Sequence, residues 1–253
     1  MRKTIRMLVL SLALLAVPCG LGGEEAPMTL VLLHGRLIDG NGGEPSEDAA
    51  VIIRDGRIVA VGPVGGIEVP GAAEILDVHG ATGLPGFINA HVHAGYGAEN
   101  LRAWAHAAVT TVRDLGAQFR WTETSDRVFD GRNALNAEAT NARLVAAGPI
   151  VTTVGGYGGY GVASPEDAHA KVNRLIDAGT DVIKIAIEDD LQGRRWPILS
   201  PAEIHTIVEA AHARGIHVVA HISRSEHAQM RWRSRPALTT STTWRLIRSR
   251  AIC

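Results

Sequence analysis

The sequence predicts an α/β chain: a small β-sandwich unit followed by part of a TIM-like (β/α)8 barrel, with about five of its eight strands. Three observations carry this. Between Thr29 and Val78, apolar runs alternate with the turn pairs Asp39-Gly40, Asn41-Gly42 and Asp55-Gly56. From Ser164 onward, two helix-then-strand units follow one another directly. Their strands, Asp181–Ile187 and His217–Ile222, are apolar along most of their length, as strands of a parallel sheet covered on both faces must be.

The first 25 residues read as a secretory signal. Arg2, Lys3 and Arg6 form a positive start, and Met7–Val17 is apolar except for Ser11. Pro18, Gly20, Gly22 and Gly23 close a run too short to stay in a bilayer as a helix. The expected location is secreted or periplasmic. Cys19 also stands where a lipid-anchored cysteine would, although Pro18 replaces the small residue such processing resembles; an ordinary cleaved signal is the alternative. Cys253 is the other cysteine, so no disulfide framework is expected.

Residues 26–82 are assigned to the β unit. Within it Val51–Val61 is a hairpin, because Asp55-Gly56 supplies the positive φ angles of a tight turn between two apolar strands. Residues 83–230 are assigned to the incomplete barrel. Its strands are expected at Phe87–His91, Val109–Asp114, Arg143–Ala147, Asp181–Ile187 and His217–Ile222. Ser164 caps a helix with Pro165 at its first position and acids in its first turn, and Gly179 ends it. Ser200-Pro201-Ala202-Glu203 has the form of a capping box, with Gly215 as the stop. The glycine-rich stretch Gly155–Gly161 is expected to be a loop facing substrate rather than phosphate, since no P-loop lysine follows.

A hydrophobic content of 46% over 253 residues supports a sizeable core, and a net charge of -1 supplies no pull toward nucleic acid or anionic membranes. A small-molecule partner fits better. The oligomeric state is not encoded legibly.

His91 and His93 lie two apart at the C-terminal end of the first barrel strand, so both rings point the same way, at the face where barrel enzymes keep their sites. Taken alone, the pair is equally compatible with surface or core histidines. Lys184 sits inside the apolar run Val182–Ala186, where burial disfavours an ammonium; a neutral amine there can add carbon dioxide and become an anionic carbamate ligand. The alternative is a lysine that snorkels from a strand end. His221 closes the next strand, again as a ligand or as a satisfied histidine. None of the other eight of the eleven histidines is assigned to a metal.

The runs Gly83–His93, Thr111–Gly116, Val182–Ile185 and Ala220-His221 together resemble the metal-dependent amidohydrolase superfamily, in particular its imidazolonepropionase-related and prolidase-like branch. The resemblance covers roughly residues 29–230. It implies a hydrolase of carbon-nitrogen bonds in a small amide, acylated amino acid or dipeptide, in which a metal-bridging hydroxide attacks a carbonyl. It further implies two divalent ions, zinc by ligand type: His91 and His93 on one, His221 on the other, and carboxylated Lys184 between them.

The resemblance also calls for a metal-binding histidine on strand six and a proton-shuttling aspartate on strand eight, for which the sequence offers no counterpart; no catalytic residue is therefore assigned. Residues 231–253 change character, with six arginines, seven serines or threonines and no acid. They are expected to be an aberrant tail outside the fold. Restoring one base after the Met230 codon would let the same nucleotides read as a helix, a glycine stop and a strand ending in histidine, so a frameshift is expected. On that expectation the chain is an inactive product, and the competing function is a non-catalytic fragment that holds metal only in part. Nucleic-acid binding by the tail is excluded because its arginines form no patterned face.

Overall fold

The structure, a computed structural model, describes residues 29–93, 95–116, 127–191 and 193–222, and the backbone of 238–240. The signal segment and the rest of the arginine-rich tail lie outside the described residues. The chain divides after Leu84 into two compact units.

In the first unit, β1 (Thr29–Leu37), β2 (Ser46–Arg54) and β3 (Arg57–Pro63) form an antiparallel meander. β4 (Glu74–Asp77) and β5 (Thr82–Gly83) then pair side by side, in parallel, along successive parts of β1. The turn between β2 and β3 has φ 50° at Asp55 and 70° at Gly56, the double positive φ that matches the twist of a two-residue hairpin. The expected sandwich is corrected: the described residues form one five-stranded layer, ordered β3-β2-β1-β4 with β5 on β1. Because β4 and β5 return along the free edge of β1, every strand is taken into the same layer and none is left to build a facing sheet. Ile58, Val61, Ile75 and Leu76 accordingly stay about half exposed.

The second unit contains two parallel sheets. β6 (Phe87–Val92), β7 (Val109–Asp114) and β8 (Arg143–Ala146) form one, with α1 (Ala98–His106) and α2 (Arg127–Asn136) in the connections. The other has the order β10-β9-β11-β14-β15, from β9 (Ile150–Thr153), β10 (Gly159–Val162), β11 (Ile183–Ile187), β14 (Val218–Ile222) and β15 (Leu238–Thr240). Between β11 and β14 lie the ribbon β12 (Asp190–Leu191) and β13 (Arg194–Arg195) and helix α4 (Pro201–Ala213), while α3 (Pro165–Asp177) precedes β11.

Three details depart from the expected barrel. The expected third strand appears as β8 and completes the first sheet, but a further strand that was not expected, β9, begins four residues on and pairs with β11 in the second. Part of the predicted glycine loop is strand β10, held because Tyr160 and Val162 turn inward to the core. Leu238–Thr240, expected to lie outside the fold, pairs in parallel with Val218–Ala220. The edge of β14 presents unpaired N–H and C=O groups, and an extended segment rich in β-branched threonine satisfies them.

The register Ile183↔Val218 through Ile187↔Ile222 sorts the side chains of β11 and β14 by parity. Ile183, Ile185, Ile187, Val218 and Ala220 join the core beneath α3 and α4. Val182, Val219, Leu115 and Ala147 form a separate apolar cluster on the opposite side of the sheet. Both helices begin as predicted. Ser164 accepts from Asp167 N, and at α4 the Ser200 hydroxyl accepts from Glu203 N while the Glu203 carboxylate accepts from Ser200 N at 2.7 Å. Ser200→Ala removes one half of that reciprocal cap and is expected to cost about 1 kcal/mol, read as a lower urea midpoint with unchanged slope.

Candidate metal centre

Strands β6, β7, β11 and β14 of the second unit each contribute one part of the site. On β6, the Nε2 atoms of His91 and His93 lie 3.2 Å apart. Two nitrogens at that separation, each about 2.1 Å from one zinc ion, would subtend about 100° there, close to a tetrahedral angle. The His93 Nδ1–H donates to the carbonyl of Gly116, which leaves Nε2 with its lone pair.

Gly116 has to be glycine. Its φ is 91°, and a Cβ would stand 2.8 Å from the Gly148 carbonyl. Asp114, fully buried at the end of β7, fixes the same corner: its carboxylate accepts from Gly116 N at 2.8 Å and from Gly95 N at 2.7 Å, joining the loops that follow β6 and β7. Arg113 donates from Nε to the Ala90 carbonyl at 2.8 Å, anchoring β6 just before His91.

Lys184 is 1% exposed, and its Nζ has no hydrogen-bond partner. Its parity places it with Val182, above the apolar cluster, on the same side of the sheet as His221. Burial, and then the Arg113 charge, lower its pKa from 10.5 to about 8. A buried ammonium without an acceptor is unfavourable. Lys184 in turn acts on two of the histidines. The pKa of His91 is pushed down to about 4, first by the partial withdrawal of its ring from water, although the residue as a whole is exposed, and next by Lys184. That of His221 is lowered by burial and then by Lys184, against an upward pull from Glu188.

The structure therefore brings Lys184, His91, His93 and His221 into mutual influence. Among the described residues, no group of three or more His, Cys, Asp or Glu side chains is gathered to hold a metal. The fit of a metal pair thus depends on Lys184 becoming an oxygen donor. An orphaned, depressed-pKa amine beside converging imidazole nitrogens has the chemistry for that.

Two further residues also belong here. Glu188, 1% exposed, lies 3.2 Å from His221 Nε2 through its Oε2. Tyr157 from the glycine loop lies over the His221 ring, with centroids 5.1 Å apart and planes 31° apart, and meets Trp196 edge to face. The signal for Glu188 was its even spacing from Lys184, which puts both on one side of the strand; Tyr157 lies in the glycine-rich stretch expected to face substrate, though nothing local paired it with His221.

The amidohydrolase family profile matches residues 82–240, well over half of the chain. Imidazolonepropionase from Acidiphilium cryptum is 36% identical over 121 residues, covering 46% of this chain and 30% of that protein. The enzyme of the same name from Saccharopolyspora erythraea is 28% identical over 131 residues, covering 52% and 33%. Among solved structures, a putative prolidase from Bifidobacterium longum is 27% identical with a TM-score of 0.65, covering 80% of this chain and 51% of that one. A prolidase complexed with N-methylphosphonate-L-proline is 25% identical with a TM-score of 0.65, covering 82% and 59%. The chain thus spans about a third of the curated relatives and little more than half of the solved ones. With the profile match running from β5 through β15 and across every strand of the candidate centre, this chain belongs to the amidohydrolase family.

Proposed function

We propose that the chain is a metal-dependent hydrolase acting on a carbon-nitrogen bond of a small amide or dipeptide, with zinc as the resident ion. The observation that carries this is the buried, unpartnered Nζ of Lys184 beside His91, His93 and His221. Family membership and likeness to proteins named imidazolonepropionase and prolidase support the same chemistry.

His91 and His93 would hold one ion, His221 a second, and carboxylated Lys184 both. When bound, divalent ions supply an acidified water and polarise a carbonyl oxygen. The protein's own part begins with Lys184: the neutral Nζ attacks the carbon of carbon dioxide, forms an N–C bond and releases one proton, which turns a costly cation into an anion. Gly116 keeps the His93 lone pair on Nε2. The apolar floor of Leu115, Ala147, Val182 and Val219 keeps water from beneath Lys184. Export through the N-terminal signal belongs to the same proposal.

The test is dialysis of the purified chain against a chelator, then reconstitution with zinc and bicarbonate, with metal content and hydrolysis of a panel of N-acyl amino acids, dipeptides and cyclic amides followed together. The expectation of an inactive product predicts zinc uptake without turnover; hydrolysis that is lost on stripping and restored more completely by zinc with bicarbonate than by zinc alone would overturn that expectation and support the hydrolase. Zinc uptake without hydrolysis of any substrate would leave the non-catalytic, metal-holding alternative and remove the hydrolase.

A further inference from the structure

We propose that Trp196 and Tyr157 form a right-angled aromatic corner beside His221 that seats a flat apolar group, so that the preferred substrates are amides carrying an aromatic ring on one side of the carbon-nitrogen bond. The inference rests on the proposed hydrolase reading and adds which substituent its substrates carry.

Three rings follow one another outward from the centre. The Tyr157 ring lies over His221 with centroids 5.1 Å apart, and Trp196 meets Tyr157 at 82° with centroids 5.7 Å apart. Two flat walls at that angle enclose an inside corner, where a third ring can stack on one wall while its edge meets the other; aromatic pairs favour both arrangements. The indole is fixed before any ligand arrives. The Trp196 backbone N–H donates to the Asp189 carbonyl at 2.9 Å, the indole Nε1–H donates to the Leu191 carbonyl at 3.3 Å, and the Arg194 guanidinium lies 3.9 Å over the ring. With its N–H used inside the ribbon segment, the indole has only apolar surface to offer a ligand. The loop that carries Tyr157 is fitted to the same segment. A Cβ at Gly156 would overlap Thr152 Oγ1 and stand 2.8 Å from the Pro197 carbonyl, so glycine is what lets the two loops approach this closely. Tyr157 and Trp196 are both half-buried, so each keeps surface that a ligand can reach. Walls already held in place cost a ligand little ordering, which favours binding in the corner.

The corner can be tested without metal or turnover. N-benzoylglycine, N-acetylphenylalanine and N-acetylglycine share an amide and a carboxylate and differ in the ring, and their dissociation constants for the chelator-treated chain are read by ligand-observed NMR. The expected result is that at least one ring-bearing probe binds about 10-fold tighter than N-acetylglycine. Trp196→Ala should bring the probes to about equal affinity, and Trp196→Phe, which keeps a ring, should hold most of the difference. A purely structural role of Trp196 would weaken all three probes alike in the alanine variant, and that outcome overturns the proposal. So does a wild-type chain that binds the ring-bearing probes no better than N-acetylglycine, or not at all. If Trp196→Ala does not fold, nuclear Overhauser contacts from the probe ring to the Trp196 indole, identified by their loss in Trp196→Phe, decide in its place: their presence supports the corner and their absence overturns it. Ring preference in a chain that takes up no zinc would support the corner and remove the metal centre, whereas zinc uptake without ring preference would overturn the corner alone.

Discussion

Lys184→Met is expected to destroy any hydrolysis the centre supports and, in the metal-free protein, to make the fold more stable at neutral pH. The loss of activity should exceed the roughly 100-fold that removing an outer-shell partner costs, because a thioether cannot become a carbamate. The gain in stability follows from Nζ, which is buried without an acceptor and has a pKa lowered from 10.5 to about 8. Below pH 8 both the folded and the unfolded chain carry the proton, and the folded state bears the whole cost of a buried cation. Between pH 8 and 10.5 the unfolded chain binds more protons than the folded one, so wild-type stability rises with pH across that window. Above it the cost is gone. The lowered pKa corresponds to about 3 kcal/mol, the gain expected for methionine at pH 7 and lost by pH 11. Urea denaturation of both proteins at the two pH values, in chelator, reads it directly. A methionine variant less stable than wild type at pH 7 would show that Lys184 is not the strained group it is taken to be.

Asp114→Ala should be the most damaging single change in the second unit that leaves all four candidate ligands in place. It strips Gly95 N and Gly116 N of a shared acceptor at a fully buried position. At about 1–3 kcal/mol for each buried donor left unpaired, a loss of about 3 kcal/mol is expected. For a chain of this size that is about 6–12 °C in Tm. Metal binding should weaken as well, because the Gly116 carbonyl that orients His93 belongs to the same corner. Asp114→Asn, which keeps one acceptor oxygen, should recover part of both losses. Differential scanning calorimetry and zinc competition on the two variants test this; equal damage from alanine and asparagine would mean that the corner fails through something other than its two hydrogen bonds.

Where local chemistry is strong, the elements were legible in the sequence. Asp55-Gly56 announced its hairpin because few other residues tolerate two positive φ angles in succession. Ser164 and Ser200 announced their helices because a hydroxyl followed by an acid satisfies N–H groups that a helix start leaves open. The spacing of His91 and His93 announced a shared direction, since side chains two apart on a strand project from one face. Glu188 was equally available by that parity, yet a carboxylate just past a strand end is usually solvated, so nothing local distinguished it.

By itself the sequence determined the apolar strands, the capped helices, the family motifs and the residue types able to hold a metal, because each depends on neighbours within a few positions. Only the tertiary structure decided that the N-terminal strands close as one layer, that a further strand, β9, follows the third and joins the other sheet, and that Leu238–Thr240 takes the edge of β14. It likewise decided that Lys184 has no partner while Glu188 and Tyr157 hold His221. Those outcomes depend on which strand edge or buried atom is left unsatisfied by residues distant in the chain, and a hydrogen bond or a desolvated charge is settled only when the distant group arrives.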